Sequence, residues 1–302
     1  MRRLLSSPFA QMVMATVLFA AMGACVKLAS AHAGTAWVVG MRGSVGAVIV
    51  GLIALASATP LATRVPLLHL KRGLSGVIAL SMWFYAMGQL PLATAVTLNY
   101  MSSVWMAVFM VLRARFGGQQ AVDRRVLAAV ALGFVGVVIV LRPTIDRDQW
   151  LAGLIGVASG MLSAMAYIQV TALGKAGEPE QRVVFYFSLT GTAMGLAMGL
   201  VGQWGQWGKT ALTQVEPFST WPAFTWWCLI GVGTFATLAQ LLMTRAYARG
   251  PMLVMANLQY LGIVHATLLG AVFFHEALRW DAALGMALIT ASGIWSTRLR
   301  QR

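Results

Sequence analysis

Acidic residues are scarce in this chain. There are 8 Asp and Glu among 302 residues, against 22 Lys and Arg. Charged residues of all kinds make up only 10%, where a soluble domain carries about 25%. That shortage excludes an ordinary soluble domain. The 59% hydrophobic content excludes a disordered chain, which would be polar. Cysteine is scarce too. Cys25 and Cys228 lie in apolar stretches, outside any CxxC or metal-type spacing, and read as small packing residues. Catalytic signatures are also lacking. His275-Glu276 opens like a zinc HExxH motif, but Arg279 stands where the second His belongs, so the motif fails. The sequence presents no Asp-rich pair and no strong Ser/His/Asp set. No metal and no cofactor is expected.

What is present is a succession of long apolar runs. At about 30 residues per membrane span with its connection, the length allows roughly ten. Breaks in the apolar pattern place them near 10–31, 36–57, 73–90, 93–112, 125–141, 151–173, 183–202, 223–246, 252–274 and 282–298. The first run is longer than a signal-peptide core, so it reads as an uncleaved span. Trp204, Trp207 and Trp221 read as interfacial anchors. The run Gly191, Gly195, Gly199 and the pair Gly156, Gly160 read as helix-packing surfaces.

The formal net charge of +14 would point to nucleic acid in a soluble chain. Sorted by side of the membrane, it becomes an orientation signal. With the N-terminus in the cytoplasm, sixteen basic residues fall inside, Arg72 among them. Arg142, Arg147, Lys209 and Arg279 fall outside. Lys27 and Arg42 remain within spans. The asymmetry predicts an even number of spans with both termini cytoplasmic.

The chain also repeats itself. At a shift of 160 residues, Pro91, Leu98, Tyr100 and Val104 fall on Pro251, Leu258, Tyr260 and Val264, and Asn99 falls on Gln259. Five spans per half is odd, so the copies face opposite ways. The uncharged Pro91 turn lies outside, and the Pro251 turn, flanked by Arg245 and Arg249, lies inside. The fold class expected is therefore an all-α polytopic membrane protein. Its ten transmembrane helices form two inverted five-helix repeats, 1–145 and 146–302, within a single membrane domain. Such repeats are typical of secondary transporters.

Several segments together resemble the drug/metabolite transporter (DMT) superfamily, in its EamA-type branch of ten-span bacterial carriers. They are Tyr85 to Ala95 around Pro91, Phe273 to Leu278, Met41-Arg42, and Gly133 to Gly136 followed by Arg142-Pro143. The likeness spans nearly the whole chain. One departure stands out: the stretch Arg113 to Gln120 has no Glu where the first repeat would carry one. The resemblance implies a carrier in the bacterial inner membrane.

Ionisable residues within spans are functional candidates, so Lys27 and Arg42 lead, with snorkelling to the outer headgroups as the alternative. An arginine in a cavity can grip a carboxylate with two parallel hydrogen bonds. The fourth and ninth spans add Asn99, Tyr100, Trp105, Asn257, Gln259, Tyr260 and His265, and the sixth adds Gln169; interhelical bonding and core packing are the alternatives. Pro91 and Pro251 are candidate hinges, because proline removes a helix hydrogen bond. The chain thus reads as an alternating-access carrier for a small amphipathic metabolite that bears a carboxylate, such as an amino acid or related compound. Its other partners are membrane lipids, with no nucleic acid. No enzyme activity is expected; a membrane enzyme or a channel is the competing reading. Oligomeric state, coupling ion and direction of transport stay open.

Overall fold

The computed structural model describes residues 7–90, 92–116, 122–142, 149–204, 221–273, 275 and 278–301. Twelve helices cover these residues, and no strand occurs among them. They are α1 (Pro8–Ala29), α2 (Thr35–Ala56), α3 (Pro66–Gln89), α4 (Leu92–Tyr100), α5 (Ser102–Phe116) and α6 (Arg124–Leu141). The second half continues with α7 (Trp150–Lys175), α8 (Glu180–Trp204), α9 (Ala223–Arg249), α10 (Met252–Leu258), α11 (Leu261–Phe273) and α12 (Trp280–Gln301).

Local chemistry sets several boundaries. Pro66 opens α3, where its missing N–H costs nothing. The Asp123 side chain accepts a hydrogen bond from the Arg125 amide at 2.8 Å and caps α6. Gly177 ends α7 in the left-handed region, with φ of 77°. The Glu178 amide then reaches back to Leu173 O at 3.1 Å, a Schellman closure that fixes where Glu178 points.

Seven helical stretches are long and apolar enough to cross a membrane: α1, α2, α4 with α5, α6, α7, α9, and α10 with α11. Helices α3, α8 and α12 have 24, 25 and 22 residues and match that length. Their apolar character is diluted by His69, Lys71 and Arg72 in α3, by Glu180 and Arg182 in α8, and by Asp281 and Arg298 in α12. The outward faces are greasy: Leu55, Val272, Phe273 and Trp227 are all well exposed. Water would penalise such surface, whereas lipid acyl chains accept it.

The packing follows a definite scheme. Helix α2 lies most extensively on α8, α1 on α9, α3 on α7, and α6 on α12. Helix α9 also crosses α2, α3 crosses α8, α11 lies on α1, and α4 and α5 both lie on α7. Small residues permit the closest approaches. A Cβ at Gly43 would stand 2.5 Å from the Thr192 amide and 2.7 Å from Ser188 O. Gly156 and Gly160 abut Leu98. Of the Gly191, Gly195, Gly199 run, only Gly195 is tight, against Gly40. The other two have open space beside them, so that run is not one continuous packing stripe.

Three sequence expectations change in detail. The third span begins at Pro66, one to two turns before 73, because charged residues hide a helix from an apolar window. The fourth and ninth spans are each interrupted. One interruption is a single turn residue at Met101; the other is a tighter turn at Gln259–Tyr260, where Tyr260 N bonds Asn257 O and Ile263 N bonds Tyr260 O. Short 3₁₀ pieces inside a helix commonly mark a hinge. Pro251 caps α10 and sits ahead of that interruption, while Pro91 falls outside the described residues. Trp221 is buried beside Trp226 at a ring separation of 5.1 Å and anchors inward. Trp207 also lies outside the described residues. Cys25 and Cys228 are free thiols in one apolar cluster.

Candidate functional site

The cleft between α2, α3, α8 and α9 holds the strongest chemistry. It is lined by Val39, Arg42, Phe187, Ser188, Thr237 and Gln240, among others. In this conformation it has room for only about one or two waters. Arg42 enters from α2, and its Cζ lies 5.7 Å from the centroid of the Phe187 ring. A second guanidinium shares that ring: Arg72 Cζ stands 4.1 Å from the same centroid.

Arg72 was counted among the cytoplasmic basic residues. The structure corrects this: Arg72 is 3% exposed, inside the helix bundle. Arg42 Nε, Arg72 Nε and Arg72 Nη1 are buried without a hydrogen-bond partner. Among the described residues, neither guanidinium pairs with a carboxylate. Gly76, one turn after Arg72, makes the arrangement possible. A Cβ there would stand 2.9 Å from Phe187 Cε2 and would run into the Arg72 guanidinium. Sequence reasoning missed Arg72 because Lys71-Arg72 looks like a boundary pair. The signal it left was the largely apolar run from Gly73 to Leu80 that directly follows it.

The rest of this region is polar and aromatic. Gln169 of α7 accepts a hydrogen bond from Ser75 of α3 at 2.8 Å. Tyr167, also of α7, stacks on Tyr247 of α9 at 5.3 Å. The structure thus sets Arg42 beside Arg72 and Phe187, with Gln169 bonded to Ser75, one turn along α3 from Arg72, while Tyr100 lies against Tyr260.

The remaining candidates lie elsewhere. Lys27 is exposed in the last turn of α1. Asn99 donates to Ser159 Oγ at 3.3 Å, and Ser159 donates to Ala79 O at 2.9 Å, pinning α4, α7 and α3 together. Asn257 donates to Ser296 Oγ at 3.0 Å and binds α10 to α12. Gln259 meets Met243 Sδ at 3.3 Å. Trp105 stacks on Phe109, one turn further along α5. Tyr260 is fully buried, between Tyr100 at 6.1 Å and Phe134 at 6.4 Å. His265 is half-buried, with Nδ1 3.2 Å from Thr16 Oγ1. Thr16 directs its proton to Val13 O at 2.7 Å, which leaves its oxygen to accept from the imidazole.

One end of the bundle carries a compact ion network. Glu178, 5% exposed, accepts from His69 Nε2 at 2.8 Å, from Arg182 Nη1 at 3.0 Å on both oxygens, and from Thr63 at 3.0 Å. Arg182 also donates to Pro60 O. Burial pushes the Glu178 carboxyl up. The hydrogen bonds from His69, Arg182 and Thr63 outweigh it and hold the carboxyl below its ordinary value. Beside it, Arg245 of α9 pairs with Glu180 of α8. His69 is one turn from Arg72, so this network closes the bundle just beyond the guanidinium pair. At other element ends, Arg142 after α6 pairs with Asp281 of α12.

No protein-family model matches the chain. Curated proteins do. A pseudopaline exporter of Pseudomonas aeruginosa is 26% identical over 299 residues, covering 99% of this chain and 98% of that one. A riboflavin transporter of Brucella anthropi is 24% identical over 293 residues, covering 92% and 96%. A solved crystal structure superposes with a TM-score of 0.79 at 19% identity, over 98% of this chain and 99% of that one; it speaks for the fold alone. The apolar helices and the full-length likeness to named transporters support a multi-pass membrane transporter.

Proposed function

We propose that the protein is a secondary carrier of the EamA-type branch of the DMT superfamily. It moves a small carboxylate-bearing metabolite across the bacterial inner membrane by alternating access. The observation that carries this is the pair of guanidiniums on Phe187, Arg72 buried and Arg42 partly buried, each with buried nitrogens that lack a hydrogen-bond partner. A buried cation without a counter-charge is costly, and a carboxylate supplies both the charge and the bidentate acceptor.

In this reading, ten spans form two inverted repeats, 1–145 and 146–302, with both termini cytoplasmic. The helix contacts support it. Exchanging each helix for its counterpart in the other half turns the α1–α9 pair into α7–α3, and the α9–α2 crossing into α3–α8. The α2–α8 and α6–α12 pairs map onto themselves. The interrupted helices correspond as well, α4–α5 with α10–α11. The halves rock about the central cleft, and the interruptions at Met101 and Gln259–Tyr260 take up the bend alongside Pro91 and Pro251. The Glu178 network then serves as the cytoplasmic closure.

Radiolabelled uptake into proteoliposomes across a panel of amino acids and other carboxylated metabolites tests the proposal. Substrate-dependent flux that disappears in Arg42→Ala is the expected result. No flux for any carboxylated compound, with protein inserted and folded, refutes it.

A further inference from the structure

We infer that the cleft takes a divalent anion, one ligand whose two anionic groups are gripped separately by Arg42 and Arg72. The inference rests on the carrier reading above and narrows its substrate class. A single carboxylate would neutralise one guanidinium and leave the other buried and uncompensated. Both Cζ atoms lie within 5.7 Å of one ring centroid, so the two charges are at most roughly 10 Å apart. That separation is within the span of a small diacid.

Three further observations point the same way. The donors left without partners are guanidinium nitrogens on both residues, Nε of Arg42 and both Nε and Nη1 of Arg72, so each fork has unused capacity. Among the described residues no acidic residue lines the cleft, which leaves the ligand to supply the counter-charge. Arg42 lines the cleft directly, and Arg72 borders it through Phe187. Phe187 is therefore the side chain that has to move for one ligand to reach both forks. Ser188, Thr237 and Gln240 supply neutral hydrogen-bonding groups around it.

Charge also constrains the cycle. The loaded site is neutral, whereas the empty site holds two like charges in a low-dielectric interior. The empty carrier therefore reorients slowly, and exchange of one dianion for another is faster than net flux.

The test uses purified full-length protein with α,ω-dicarboxylates of increasing chain length and the mono-amide of each. Ligand-induced thermal shift is read by intrinsic tryptophan fluorescence, and the same pairs are run in proteoliposome counterflow. At least one diacid is expected to bind tenfold or more tightly than its mono-amide. In Arg72→Gln the diacid should fall to the affinity of the mono-amide, and Arg42→Gln provides the independent second reading. Equal affinities in the wild type, no shift with any diacid, or a diacid preference surviving in both variants overturns the inference. Counterflow with mono-anions as fast as with diacids overturns it while leaving the carrier reading intact. Diacid binding without counterflow removes the carrier and leaves the dianion site standing.

Discussion

Replacing Arg72 with methionine should make the ligand-free protein more stable, although the residue is buried and central. The side chain keeps its apolar stem and loses its charge. An ion in a protein interior still costs several kcal/mol after relaxation. Arg72 also feels Arg42: at the upper limit of roughly 10 Å and an effective dielectric of about 20, the repulsion is at least about 1.7 kcal/mol. Against these stands the cation–π contact with Phe187 at 4.1 Å, which contributes about 2 kcal/mol when desolvated. The unfavourable terms win, and Arg72→Met should gain at least about 2 kcal/mol. At about 2–4 °C per kcal/mol for chains larger than a small domain, that is a rise of roughly 4–8 °C in Tm. The assay is thermal unfolding of detergent-purified protein followed by tryptophan fluorescence, with and without a transported diacid. The wild type should gain stability with ligand, and Arg72→Met should gain less at the same ligand concentration. If Arg72→Met melts below the wild type without ligand, the guanidinium is compensated in the empty protein and the reasoning is wrong.

Other consequences can be checked in the same preparations. Gly43→Ala places a methyl group against the Thr192 and Ser188 backbone and should cost about 1–3 kcal/mol by overpacking; Gly23→Ala, with nothing within 4 Å, should melt like the wild type. Glu178→Gln should loosen the closure formed with His69, Arg182 and Thr63, and it should also flatten the acid limb of the stability profile. The folded carboxyl titrates below its ordinary value of 4.5, so its contribution is complete above that pH. It is lost as pH falls through the lower folded value, and equilibrium unfolding across that range checks the sign. Arg42→Ala and His265→Ala should both lower proteoliposome transport while the protein still inserts. Wild-type flux in either variant would remove that residue from the site.

The sequence exposed some residues and concealed others for identifiable reasons. Arg42 stood out because an ionisable residue inside an apolar run is a functional candidate, with snorkelling as the alternative. Arg72 is chemically identical and more deeply buried, yet it follows Lys71 at the edge of its run. Only the early start of α3 at Pro66 carries it into the bundle. Asn99 and Asn257 attracted attention as polar groups within spans. Their partners, Ser159 and Ser296, lie 60 and 39 residues away, a distance that no local pattern encodes. The interruptions in the fourth and ninth spans were equally hidden; Pro251, which announced a bend, lies at the start of α10 and not at the interruption.

By itself the sequence determined that this protein lives in a membrane. The solvent preference of each segment is a sum over its own side chains and needs no partner. The proposed orientation and the proposed repeat rest on the sequence in the same additive way, on the placement of basic residues and on identities at a shift of 160 residues. Tertiary structure decided which polar groups meet. Phe187 lies more than a hundred residues from Arg72, and only the packing of α2, α3 and α8 sets both guanidiniums on its ring. Charge compensation depends on what stands within a few ångströms, and that is a property of the folded chain.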